Sequence, residues 1–176
     1  MQETIIHTEN VYYGRVVKLD LHEVRLPNGE TSKREIIKHP GAVAMVALDD
    51  NQRILLVRQF RLAAGKVMLE IPAGTLEPDE SPINCAEREL QEETGFKPAK
   101  LESLGGIYTA PGYTTEFIHL FLATGLVSSS LDMDSDEFIE LETFTLAEAL
   151  NLVESGEIND SKTVAGLLRV SRRLGI

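Results

Sequence analysis

The 176-residue sequence predicts an α+β fold, an α/β/α sandwich of mixed sheets preceded by a small antiparallel β unit. Three observations carry that expectation. Residues 42–48 and 54–60 are continuous apolar runs of strand length, the pattern of buried central strands. Residues 11–25 instead alternate apolar and polar, with Val17, Leu19 and Leu21 on one face, which is the pattern of a strand with one dry side. Helix signals punctuate the rest: Ser81-Pro82 as N-cap and first helical residue, and Asp160 or Ser161 as a second cap.

In chain order, Leu26-Pro27-Asn28-Gly29 holds an Asn-Gly turn, and residues 31–38 read as the return strand. His39-Pro40-Gly41 breaks the pattern and suggests a boundary. Residues 1–40 then form an N-terminal β unit and 41–176 the main domain. A unit of two or three strands is marginal alone, so it must pack on its own domain or on a second copy of the chain. Asp49-Asp50-Asn51 is a hairpin turn between the apolar runs, and 68–71 a short strand. The helix from Ser81 runs to about Thr94 and stops at Gly95. Residues 104–108, 116–124 and 138–144 read as strands. Residues 146–155 form a helix ending at Gly156, and a last helix runs to Arg172.

Charge restricts the function. The net charge is 17 − 28 = −11, which argues against a nucleic-acid binder and against docking on an anionic membrane. No apolar run approaches the ~20 residues that span a bilayer, and the N-terminus lacks a signal-peptide pattern. One cysteine, Cys85, excludes an internal disulfide framework. A cytoplasmic protein is expected. From Leu101 to Asp160 there are twelve Asp or Glu and no Lys or Arg, so those residues carry the whole negative excess. Such a stretch is either a solvated acidic surface or a field that attracts cations.

The helix from Ser81 sharpens that choice. At about 100° per residue, Glu89, Glu92 and Glu93 share an arc of about 100° beside the apolar positions Ile83, Ala86 and Leu90. Like charges three and four residues apart repel. An acidic surface helix balanced by Arg88 is one explanation; a hard divalent cation, Mg²⁺ or Mn²⁺, is the other. Upstream, Gly74 permits a tight backbone, and Glu80 sits just before the helix N-terminus, where negative charge is favoured.

Together, Gly74, five residues, Glu80, seven residues and then Arg88-Glu89-Leu90-Gln91-Glu92-Glu93-Thr94-Gly95-Phe96 resemble the Nudix box, complete over 23 residues. KREIIKHPGAVAMVAL, VRQFR, LEIPAG and YTAPGYTTEFIHLFLA extend the similarity over nearly the whole chain, to the ADP-ribose pyrophosphatase branch. Pro111, fifteen residues past Phe96, is a mark of that branch.

The resemblance implies hydrolysis of ADP-ribose to AMP and ribose 5-phosphate, dependent on more than one Mg²⁺ or Mn²⁺ ion. It makes Glu89 and Glu93 the principal metal ligands, with Glu92 assisting and the main-chain carbonyl of Ala73 a further ligand. Arg88 should hold the loop–helix geometry by pairing with Glu80. Arg61 is a candidate phosphate clamp through bidentate bonds, and Arg58 a weaker one. The N-terminal unit in this branch helps to form a homodimer, often with exchanged strands, and stacks on the base. Tyr12, Tyr13 and Arg15 are candidates by type, with simple packing as the alternative. Glu116, following Pro111-Gly112, matches a recurring acidic position at the terminal ribose or the metals.

One departure stands out. Branch members often carry Asp-Glu-Asp-Glu before the last strand; this chain reads Asp134-Ser135-Asp136-Glu137. Serine cannot serve as a base near neutral pH, so Glu137 is the expected general base, with Asp134 and Asp136 behind it. The alternatives are a hydrolase of other nucleoside diphosphate sugars such as GDP-mannose, or a catalytically silent ADP-ribose-binding regulator. Cys85 is expected to pack rather than react, and the four histidines show no metal-ligand spacing.

Overall fold

The computed structural model describes residues 1–132 and 138–175. In chain order the strands are β1 (Thr4–Tyr13), β2 (Lys18–Arg25), β3 (Thr31–Lys38), β4 (Ala42–Leu48), β5 (Arg53–Arg61), β6 (Lys66–Glu70), β7 (Ala73–Thr75), β8 (Phe96–Tyr108), β9 (Phe117–Ser128) and β10 (Glu140–Thr145). The helices are α1 (Pro82–Thr94), α2 (Leu146–Glu154) and α3 (Ser161–Leu174). The α+β class and its mixed sheet are as the sequence predicts. The chain divides into two compact units. One is Met1–Gly41 with Tyr108–Phe117; the other is Ala42–Ile107 with Ile118–Ile176.

The first unit is the antiparallel sheet β1-β2-β3. Residues 11–25 are not one strand: the chain turns at Gly14–Val17, where the Gly14 amide donates to the Val17 carbonyl at 2.8 Å. The preceding strand β1 gives no periodic signal, because register shifts at Ile5/His7 and Asn10/Tyr12 interrupt the alternation and every residue of it is exposed. Nor is the Val17–Leu19–Leu21 face the dry one. Asp20, His22 and Val24 are buried instead, and Val17 is exposed. That polar face is satisfied by Asn10 and Lys38 on Asp20 and by Thr8 on His22. Residues Tyr113 and Thr115 exchange backbone bonds with Ile37 of β3, which is why 108–117 clusters with this unit.

The second unit is built on the sheet β10-β5-β4-β9-β8, with β6 paired to β5 and β7 to β4. β4 lies parallel to β9 and antiparallel to β5. Its continuous apolar run is explained by two cores. Ala44, Val46 and Leu48 face one, with Leu167 and Val170 of α3 and Ala149 of α2. Val43, Met45 and Ala47 face the other, with Cys85, Ala86 and Leu90 of α1. A strand buried on both sides has no polar face to show. β8 begins at Phe96, eight residues before the expected start. Pro98 hides it from a sequence reading, yet an edge strand tolerates a residue without a backbone N–H.

α1 is set by its ends. The Ser81 hydroxyl accepts from the Asn84 amide at 3.3 Å, Pro82 opens the helix, and Gly95 closes it with φ 75°. Ile83 departs from expectation. It shares the angular position of the buried stripe but is 56% exposed, because a helix face is dry only along the length that the sheet covers, here from Cys85 onward. Glu93, at 7% exposure, joins the buried stripe, while Glu89 and Glu92 are half-buried along its border, as the helical spacing predicts.

Candidate active site

The strand β7, the loop after it and α1 bring Ala73, Gly74, Glu80, Arg88, Glu89, Glu92 and Glu93 together. Arg88 is the hub. Its Nε and Nη2 donate to the two Glu80 oxygens, each at 3.0 Å, and its Nη1 donates to Glu89 at 2.8 Å and Glu92 at 2.9 Å. The Glu80 carboxyl is thereby held down to about 2, chiefly by the Arg88 hydrogen bond, and it also accepts from the Glu77 amide. Arg88 in turn is held firmly protonated by Glu80. One cation thus fixes three carboxylates that would otherwise repel, and ties the loop to the helix.

Gly74 and Glu89 explain each other. A Cβ on Gly74 would lie 1.8 Å from the Glu89 Cδ, so the Glu89 carboxylate can occupy this position only beside a glycine. Beside it, the Ala73 amide donates to Glu93 Oε2 at 2.9 Å, joining β7 to the last turn of α1. Hard carboxylate oxygens on adjacent turns, pressed into a glycine cradle, suit a hard divalent cation. Among the described residues no three acidic, His or Cys side chains already converge on one point.

The other expected residues fall as follows. Arg61, at the end of β5, donates from Nε and Nη2 to Glu70 at 3.0 and 2.7 Å. Arg58 is paired with Glu142 of β10 at 2.5 Å. Tyr12, Tyr13, Arg15, Pro111, Gly112 and Glu116 all belong to the first unit. Tyr13 is 75% exposed, with the Lys18 ammonium 4.6 Å from its ring centre. Pro111 and Gly112 form a tight turn closed by bonds from the Tyr113 and Thr114 amides to the Ala110 carbonyl. Glu116 accepts from the Thr109 hydroxyl at 2.7 Å and lies 3.7 Å from His39. Glu137, Asp134, Asp136 and Ser135 lie outside the described residues. Cys85 is buried, and burial followed by the Glu80 carboxylate pushes its thiol far up, so it packs.

Sequence reasoning missed Glu70, Lys162, Asp160 and Thr163, which form one network behind Arg61. The available signal was a lone glutamate between apolar Leu69 and Ile71, a position that demands a buried partner.

Fold and loop–helix motif together define the class of protein, a hydrolase. The chain belongs to the NUDIX family, whose domain matches residues 38–167. It is 46% identical over 165 residues to an ADP-ribose pyrophosphatase of Bacillus subtilis (strain 168), covering 93% of this chain and 89% of that one. It is 47% identical over 165 residues, with the same coverages, to a methanol dehydrogenase activator of Bacillus methanolicus. A solved structure described as an ADP compounds hydrolase superimposes with a TM-score of 0.89 at 26% identity, covering 99% of this chain and 95% of that one.

Proposed function

We propose that this Nudix hydrolase cleaves the pyrophosphate bond of ADP-ribose, giving AMP and ribose 5-phosphate with Mg²⁺ or Mn²⁺ as cofactor. The observation that carries the chemistry is the glycine-cradled carboxylate face of α1. The ADP-ribose assignment draws on the Bacillus subtilis relative. Glu89 and Glu93 would hold the metal, more than one ion, with Glu92 and the Ala73 carbonyl contributing. A divalent ion held by these residues would supply neutralisation of the pyrophosphate charge and a lowered pKa for an attacking water.

The chain's own groups do the rest. Arg61 offers the Nη1 end of its guanidinium, not used on Glu70, to a phosphate oxygen. Arg58, paired with Glu142 through its Nε, is the weaker second candidate for a phosphate contact. Glu80 and Arg88 hold the loop against the helix, so the metal-binding carboxylates do not have to be organised during turnover. Glu137 is the proposed base: it takes the proton from water as a new P–O bond forms and the bridging P–O bond breaks. Tyr13 and Arg15 are proposed contacts for the adenine, and Pro111, Gly112 and Glu116 for the rest of the substrate. The protein is proposed to act as a cytoplasmic homodimer; among the described residues no helix is long and apolar enough to cross a membrane.

The test is turnover of ADP-ribose, GDP-mannose, UDP-glucose, NADH and diadenosine polyphosphates with Mg²⁺, read as phosphomonoester released to alkaline phosphatase. Preference for ADP-ribose supports the reading, and preference for another sugar nucleotide moves the substrate. Binding of ADP-ribose without turnover would favour a silent regulator. The relative named methanol dehydrogenase activator makes activation of such an enzyme a second reading. It is tested by the dehydrogenase rate with and without this chain.

A further inference from the structure

Glu70 is 1% exposed, and it carries two cations. Arg61 grips both of its oxygens, and Lys162 Nζ lies 2.5 Å from Oε2. Burial works to raise the Glu70 carboxyl, but the Arg61 hydrogen bond and the Lys162 charge outweigh it and keep the group below the usual carboxylate range. The charges matter as a set. Arg61 and Lys162 balance Glu70 and Asp160, two cations against two carboxylates, so the buried Glu70 is held from both sides and stays charged. Lys162 is steadied at 3.0 Å by Asp160, whose charge sits at the N-terminus of α3 and is favoured there.

The network also reaches the cleavage machinery through the backbone. Asp160 accepts from the Thr163 hydroxyl at 2.6 Å, and the Thr163 hydroxyl accepts from the Ile71 amide at 3.0 Å. Two residues on, the Ala73 amide holds Glu93. The segment Glu70–Ala73 is therefore pinned at successive residues, to Arg61 and α3 at one end and to α1 at the other.

We propose that Glu70 and Lys162 are positioning residues for the hydrolysis, acting through Arg61: Glu70 fixes the guanidinium by its Nε–Nη2 edge, Lys162 holds Glu70 in place, and together they present the Nη1 end to a substrate phosphate. This rests on the reading of Arg61 as a phosphate clamp. The test is a double-mutant cycle in the full chain with Mg²⁺ and ADP-ribose, using Arg61→Ala, Lys162→Met and the pair, with Lys162→Arg as rescue and Glu70→Gln as a second probe. Thermal midpoints are recorded for each.

Arg61→Ala is expected to raise KM by about tenfold or more, and Lys162→Met by roughly three- to tenfold with kcat within about twofold. The double variant should match Arg61→Ala alone, Lys162→Arg should recover most of the wild-type KM, and Glu70→Gln should raise KM in the same direction. A Lys162→Met effect that persists undiminished without Arg61 would overturn the inference. So would a lowered midpoint with KM unchanged while Arg61→Ala still raises it; the clamp would then stand without its support. An unchanged KM in Arg61→Ala would instead remove the clamp reading itself. If Glu70→Gln does not fold, the Lys162 pair decides the question alone.

Discussion

At the scale of single residues, the site is a problem of like charges brought close and held. Gly74 shows how little slack there is. Gly74→Ala puts a methyl group 1.8 Å from the Glu89 carboxyl carbon, so either that carboxylate or the β7 backbone must move. The carboxylate is the far end of a flexible side chain and is the part that gives, so the effect falls on its position more than on stability. The expected outcome is a fall in kcat for ADP-ribose with the urea midpoint little changed; unchanged kcat would mean that the position of Glu89 does not matter. Glu80 makes a pH prediction. Its carboxyl is held at about 2 in the folded chain, so the Arg88 contact stabilises the fold above the ordinary carboxylate pKa of about 4.3 and is lost as pH falls toward 2. Glu80→Gln should therefore be less stable than wild type at pH 7, and the gap should close between about pH 5 and pH 2. The box residues were legible because their types and spacing repeat a known pattern. Glu70 and Lys162 were not, because 92 residues separate them and only the fold joins them.

At the scale of elements, legibility followed one-sidedness and ends. α1 was readable to the residue because Ser81, Pro82 and Gly95 each do a local job at its termini. β4 was readable because burial on both faces leaves seven apolar residues in a row. β1 failed, since an exposed strand with two bulges has neither signal. β2 failed more instructively. Its dry face is the polar one, where Asp20 and His22 find partners on β1 and β3 that no pattern in the strand itself announces. α2 offers a clean check on capping, remote in sequence from the box. Thr145 and Glu148 form a reciprocal box at its start, with bonds of 2.8 and 3.2 Å to the opposing amides. Thr145→Ala should lower unfolding free energy by about 1 kcal/mol, measured by urea titration, with KM for ADP-ribose unchanged.

At the scale of the whole molecule, the first unit raises the question of assembly. A ten-residue strand exposed along its length, carrying Ile5, Ile6, Val11, Tyr12 and Tyr13, is a surface that proteins seldom leave bare. It supports the proposal of a homodimer, and light scattering at micromolar concentration should return twice the chain mass of 19.5 kDa. A mass of one chain would refute it. The proposed hydrolysis depends on the carboxylate face of α1, and one substitution reaches it directly. Glu93→Gln keeps the shape and an oxygen for the Ala73 amide but removes the charge that the proposed metal requires. The decisive measurement is kcat for ADP-ribose with Mg²⁺, wild type against Glu93→Gln, alongside the thermal midpoint of each. The account predicts a loss of at least about 100-fold with the midpoint preserved. Turnover within a few-fold of wild type in a folded Glu93→Gln chain would contradict it.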